Sequence, residues 1–200
     1  DFNWTFTTEA LAQPLPETRF SEIHYDNGGD DVSEQIEIEG PASTDLSGWS
    51  IVLYNGGSGQ AYDTKALSGL IPSTCGDRGV VVVPFASIQN GSPDGFALVH
   101  NTSVVQFLSY EGTFTAVDGP AAGTSSTDIK VEEPSSSSAI SSLQLNSTTG
   151  KWFGPSRRTF GRCNKDGPPP FDITFSGRVP ISDPPLPVGT EPRADRPPQL

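Results

Sequence analysis

Asp26, Asp30, Asp31 and Glu34 crowd around the Gly28-Gly29 pair in the run DNGGDDVSE. Hard cations such as calcium take clustered oxygen ligands from flexible loops, so this is where a calcium site would be sought. The spacing is not that of an EF-hand loop. A solvated acidic turn between two strands is the preferred reading, with calcium as the alternative.

The histidines are His24 and His100, and neither sits in a GxSxG, HExxH or paired-histidine setting. Each reads as a structural polar residue on a strand, and the chain reads as non-catalytic, with no cofactor apart from the calcium alternative. The glycine-rich run at residues 55–59 is followed by neither a helix signal nor GK[ST], so it reads as a hairpin turn and not a phosphate loop.

Cys75 and Cys163 are the two cysteines, and a lone pair in an exported chain more often forms a bridge than a metal site. Closing so long a loop would stabilise the fold by about 4–5 kcal/mol in the chain-entropy model. Two buried free thiols are the alternative. Asn3, Asn90, Asn101 and Asn146 each begin an N-x-S/T triplet, which makes them candidate glycan acceptors; Pro93 follows the triplet at Asn90.

These residues need elements to position them, and the pattern is that of strands. Residues 92–112 form a hairpin, with Phe96 and Leu98 on one arm and Val104, Phe107 and Leu108 on the other, reversing at His100-Asn101-Thr102-Ser103. This hairpin is expected at the centre of a β-sandwich. Further strands are predicted at residues 19–25, 35–39, 50–54 and 79–85, with a weak one within 61–70 and a closing hairpin from 141–145 and 151–153. Ile36 and Ile38 should face a core while Glu37 and Glu39 face water. Residues 113–142, with Ser135-Ser136-Ser137-Ser138, read as a long surface excursion with short strand pieces.

The 21 Gly, 19 Pro and 18% charged residues favour many short strands over a helical bundle. The formal charge of −12 argues against a phosphate backbone as partner, because nucleic-acid binding draws on a Lys/Arg surface. No run approaches the roughly 20 apolar residues of a membrane-spanning helix. The chain has no Met and starts at Asp1, which predicts removal of a signal segment or processing from a longer chain, and therefore an extracellular or cell-surface location.

At the start, Phe2, Trp4 and Phe6 alternate with Asn3, Thr5 and Thr7, and near the other end Phe171, Ile173 and Phe175 alternate with Asp172, Thr174 and Ser176. Both are strand patterns separated from the rest by proline-bearing linkers. Residues 180–200 are proline-rich and read as polyproline-like or disordered when alone. The expected organisation is an arm and linker at residues 1–18, a sandwich at 19–164 and a C-terminal arm at 165–200.

The motifs FSEIHYDN, EQIEIEGP, DLSGWSIVLYNG, SPDGFALV, VVQFLSYEG, TSSTDI and SLQL, in that order, resemble the bacterial, extracellular type of lamin-tail domain across residues 19–164. The resemblance implies an all-β, immunoglobulin-like β-sandwich that is itself non-catalytic. It also implies an exported protein, often accompanying a nuclease or a cell-surface protein. This chain departs from those architectures in lacking an enzyme domain and in carrying extended N- and C-terminal arms.

A strand outside its own domain can complete a neighbour's sheet, its backbone supplying hydrogen bonds and its alternating side chains filling pockets. Repeated head to tail, this gives a fibre. The expectation is therefore a structural subunit of an extracellular, pilus-like filament or surface layer. It would be joined to copies of itself through Phe2, Trp4, Phe6, Phe171, Ile173 and Phe175, with no nucleic-acid partner and with glycans as the other candidate partners. Arms folded back on their own sandwich would instead leave a secreted binding or targeting module.

Overall fold

The structure, a computed structural model, describes residues 16–164. Ten strands run in order: β1 (Arg19–His24), β2 (Gln35–Pro41), β3 (Trp49–Asn55), β4 (Gln60–Ala66), β5 (Arg78–Pro84), β6 (Asp94–His100), β7 (Ser103–Tyr110), β8 (Thr127–Asp128), β9 (Ser141–Leu145) and β10 (Trp152–Arg157). They form two five-stranded sheets, β10-β9-β1-β2-β5 and β4-β3-β6-β7-β8. The fold is an all-β sandwich.

Alternation explains the layering. Phe20, Ile23, Ile36, Ile38, Ile51, Leu53, Phe96, Leu98, Leu108 and Leu143 meet between the sheets in one core. A second apolar layer, Val52, Tyr54, Ala97, Val99, Phe107, Ala116 and Ala121, lies on the opposite face of β3, β6 and β7. Because both faces of these strands are covered, β6 is buried from Asp94 to Val99, which accounts for its near-continuous apolar run.

The 92–112 hairpin is as expected, with β6 the central strand of its sheet and antiparallel to β7. Its reversal is tighter than the four-residue break suggested: His100 pairs with Ser103, leaving Asn101-Thr102 as the turn, and Asn101 takes a φ of 56°. Asparagine tolerates that left-handed region better than most residues. Residues 113–142 contribute β8 and the first two residues of β9, and they bury Ala116, Ala121, Ile129 and Glu133. The segment is a largely exposed surface excursion with short strand pieces, as expected, anchored to the sandwich by these buried side chains.

The expected wet face of β2 is corrected. Glu37 is fully buried where residues 158–164 return across that face of the sheet, and Glu39 is nearly so under Arg19, Arg78 and Ser147. Cys75 and Cys163 form the disulfide, with Cα atoms 6.0 Å apart, tying this returning segment to the loop before β5.

Candidate functional site

Three polar or apolar constellations stand out. The first joins the end of β1 to residue 133. His24 Nδ1 lies 2.9 and 3.1 Å from the two Glu133 carboxylate oxygens, and the Tyr25 and Asp26 backbone N–H groups donate to Glu133 Oε2 at 2.7 and 3.2 Å. Burial opposes the charged imidazole, but the Glu133 carboxylate more than compensates and the His24 pKa is raised. Tyr25 stacks on Tyr110 at 3.8 Å between ring centroids, and its hydroxyl donates to Glu111.

The His24–Glu133 pair is the kind that orients a catalytic base. Here His24 is fully buried, and its Nε2 has no hydrogen-bond partner among the described residues. Its geometry serves to hold strand β1 against residue 133.

The acidic turn divides its carboxylates. Asp26 and Glu34 are buried, and burial is the main reason both pKa values are raised; Asp30 and Asp31 are exposed. Glu34 Oε2 accepts the Ile88 N–H at 2.7 Å, while Asp31 accepts from Asn27 N–H and from the Asn90 amide. Among the described residues, no group of three or more His, Cys, Asp or Glu side chains is arranged to hold a metal ion.

The second constellation is the carboxylate row Glu22, Glu37 and Glu39, the first two beneath the returning segment. Glu22 accepts from Ser142 Oγ at 2.6 Å and Thr159 N–H at 2.7 Å; Glu37 accepts from Ser21 Oγ and Gly161 N–H, both at 2.7 Å. Glu39 is paired with Arg19 and Arg78, at 2.9 and 2.5 Å. Burial pushes Glu37 up to about 8, and Glu22 is raised for the same reason. Glu22 and Glu37 fasten the cover segment, while Glu39 is held by the two arginines and accepts from Ser147 Oγ at 2.8 Å.

The third is a groove on the side where β7 and β8 of one sheet face β9 and β10 of the other. A cavity of about 660 Å³ is lined there by Pro16, Val105, Leu108, Ile129, Leu145 and Trp152, among others. Leu108 and Ile129 belong to the main core, against which Val105 and Trp152 pack, and Leu145 is buried beside them, so the groove is that core continued to the surface. Gln106 reaches across to accept the Phe20 N–H at 2.8 Å.

Above the groove runs an open strand edge. β7 pairs with β6 along its length, but on its other side β8 meets only Leu108 and Ser109. Residues 103–107 have no strand neighbour on that side among the described residues. Unpaired backbone beside an apolar slot is the chemistry of strand addition, in which an extended segment is bound by its main chain and its alternate side chains.

Of the residues singled out from the sequence, Phe2, Trp4, Phe6, Phe171, Ile173, Phe175 and Asn3 lie outside the described residues. Asn101 is exposed on its turn, Asn90 is exposed with its amide on Asp31, and Asn146 uses its side-chain oxygen to accept from Thr148 and Thr149 N–H. His100 stacks on Trp49, with ring centroids 4.5 Å apart. The groove and Glu133 had no sequence signal, because each is assembled from segments far apart in the chain. No family model matches the chain, and neither the curated proteins nor the solved structures searched include a match.

Proposed function

We propose that the chain is a non-catalytic structural subunit of an extracellular filament or surface layer, a lamin-tail-like, immunoglobulin-type sandwich joined to its neighbours by its terminal arms. The observation that carries this reading is a surplus of strand-forming sequence. Residues 16–164 already supply ten strands, a core between two sheets and a disulfide. The period-2 apolar runs at Phe2, Trp4 and Phe6 and at Phe171, Ile173 and Phe175 lie beyond that body. An apolar strand left unpaired is an aggregation hazard, so it needs a sheet to join. A neighbouring copy supplies one, and a head-to-tail contact that does not close propagates a fibre.

The test compares the intact chain with a version lacking residues 1–8, by light scattering and negative-stain microscopy. Large assemblies that disappear on truncation are expected. Folded monomers from both versions would reject assembly through this arm, and the search would turn to a binding or targeting role.

A further inference from the structure

We infer that the groove between β7–β8 and β9–β10 is the acceptor for the N-terminal arm of a second copy, with residues 2–7 adding to the open edge of β7. The inference rests on the strand-donation reading and specifies its acceptor surface.

Fit is the first argument. The unpaired half of β7, residues 103–107, is a strand length of about 17 Å, and a six-residue donor at about 3.3 Å per residue matches it. A strand laid beside β7 sends every second side chain to the inter-sheet side. With Phe2, Trp4 and Phe6 on that side, three aromatic groups enter a slot lined by Val105, Leu108, Ile129, Leu145 and Trp152, while Asn3, Thr5 and Thr7 face out. Burial of aromatic side chains, each about 150–250 Å², supplies most of the affinity, and the β7 backbone fixes the register.

The second argument concerns which copy donates. Pro16 is itself part of the groove wall, so the chain's own arm leaves from the site it would have to enter. Pro14 and Pro16 favour an extended exit, and a linker of this kind carries a strand away at about 3.1 Å per residue. Residues 8–15 hold no Gly, Asn or Asp, which leaves Pro14 as the turn-favouring residue for any fold-back of the arm onto its own chain. Donation to a second copy needs no such fold-back.

Photo-crosslinking of the full chain tests this. Phe6 is replaced by p-benzoylphenylalanine, equal amounts of unlabelled and ¹⁵N-labelled chains are mixed under assembly conditions and irradiated, and products are mapped by mass spectrometry. Crosslinks to Val105, Ile129 or Trp152 are expected, with about half joining a light chain to a heavy one, as random mixing between copies requires. Groove crosslinks confined within single chains would overturn donation to a second copy. Crosslinks to another surface, or none, would overturn the groove as acceptor. Light scattering on the same samples separates the two readings: assemblies that crosslink elsewhere retain strand donation and reject only the groove, whereas monomers reject both.

Discussion

Tyr25 and Glu133 hold each other by two opposed hydrogen bonds, Tyr25 N–H to Glu133 Oε2 at 2.7 Å and Glu133 N–H to the Tyr25 hydroxyl oxygen at 2.8 Å, across a sequence separation of 108 residues. Each residue closes the other's polar groups inside the protein. The contact turns a loop segment without strand pairing into a fixed part of the sandwich.

Replacement of Glu133 tests that role. Glu133→Ala removes the acceptor for His24, Tyr25 N–H and Asp26 N–H at once. Breaking a buried, hydrogen-bonded charge pair costs about 3–5 kcal/mol, so the urea midpoint should fall sharply. The exposed neighbour serves as control, Glu132→Ala staying within about 0.5 kcal/mol of the parent. Equal midpoints for the two variants would remove Glu133 from the account of stability.

The stability should rise on mild acidification. Burial lifts Glu37 from 4.5 to about 8, so its protonated form is favoured by folding. Its contribution is fully present below about pH 4.5 and is lost as pH rises through about 8. His24, opposed by burial but raised above 6.5 by Glu133, acts in the same direction, its contribution present below 6.5 and lost above its raised value. Glu22 fits the pattern: the Thr159 hydroxyl lies 2.7 Å from both Glu22 Oε2 and Asn164 Oδ1, and its one proton satisfies both contacts only when Glu22 is itself protonated. The expected result is a higher Tm near pH 5 than near pH 8.5. A Tm that climbs with pH across this window would contradict the assignment.

The disulfide should matter more than an ordinary surface bridge. It closes a loop of 88 residues, which the chain-entropy model values at about 4–5 kcal/mol. The double variant Cys75→Ser with Cys163→Ser should lose stability of that order in urea and show faster amide exchange at Gly161, whose N–H is held by Glu37. Unchanged exchange there would mean the cover segment stays in place without the bridge.

Glycine at position 79 is fixed by space. A Cβ there would land on the Pro72 carbonyl oxygen and 3.0 Å from Thr74 Oγ1, which already accepts the Val80 N–H. Gly79→Ala should destabilise by about 1–3 kcal/mol, the usual cost of forcing extra atoms into a packed site. Gly57→Ala, exposed and 3.3 Å from its nearest neighbour, should be near neutral in the same thermal melt. Similar melts would show that the loop before β5 moves freely.

The strands were legible because their signal is local: alternation, apolar runs and Gly, Pro or Asp at their ends place β1, β2, β3, β5, β6 and β7 from adjacent residues. The cysteine pairing was legible because only one pairing exists. The dry environment of Glu37 and Glu39 was not, since alternation marks two faces of a strand and cannot say that residues 158–164 will cover Glu37 or that Arg19, Arg78 and Ser147 will close over Glu39. The groove was hidden for a related reason. It exists because β8 spans only Thr127–Asp128 and stops short along β7, a property of pairing with no trace in the periodicity of either segment.

The bridge between Cys75 and Cys163 also sets a path for force. Tension reaching the body from beyond Asn164 meets Cys163 one residue later and passes through the sulfur link to the loop before β5. The pull therefore enters both ends of one sheet, near β5 at one edge as well as through β10 at the other, and β10 is spared from being peeled off alone. Under such a pull the bridge makes a covalently closed frame, and the hairpin of β9 and β10 is not the first element to be unzipped.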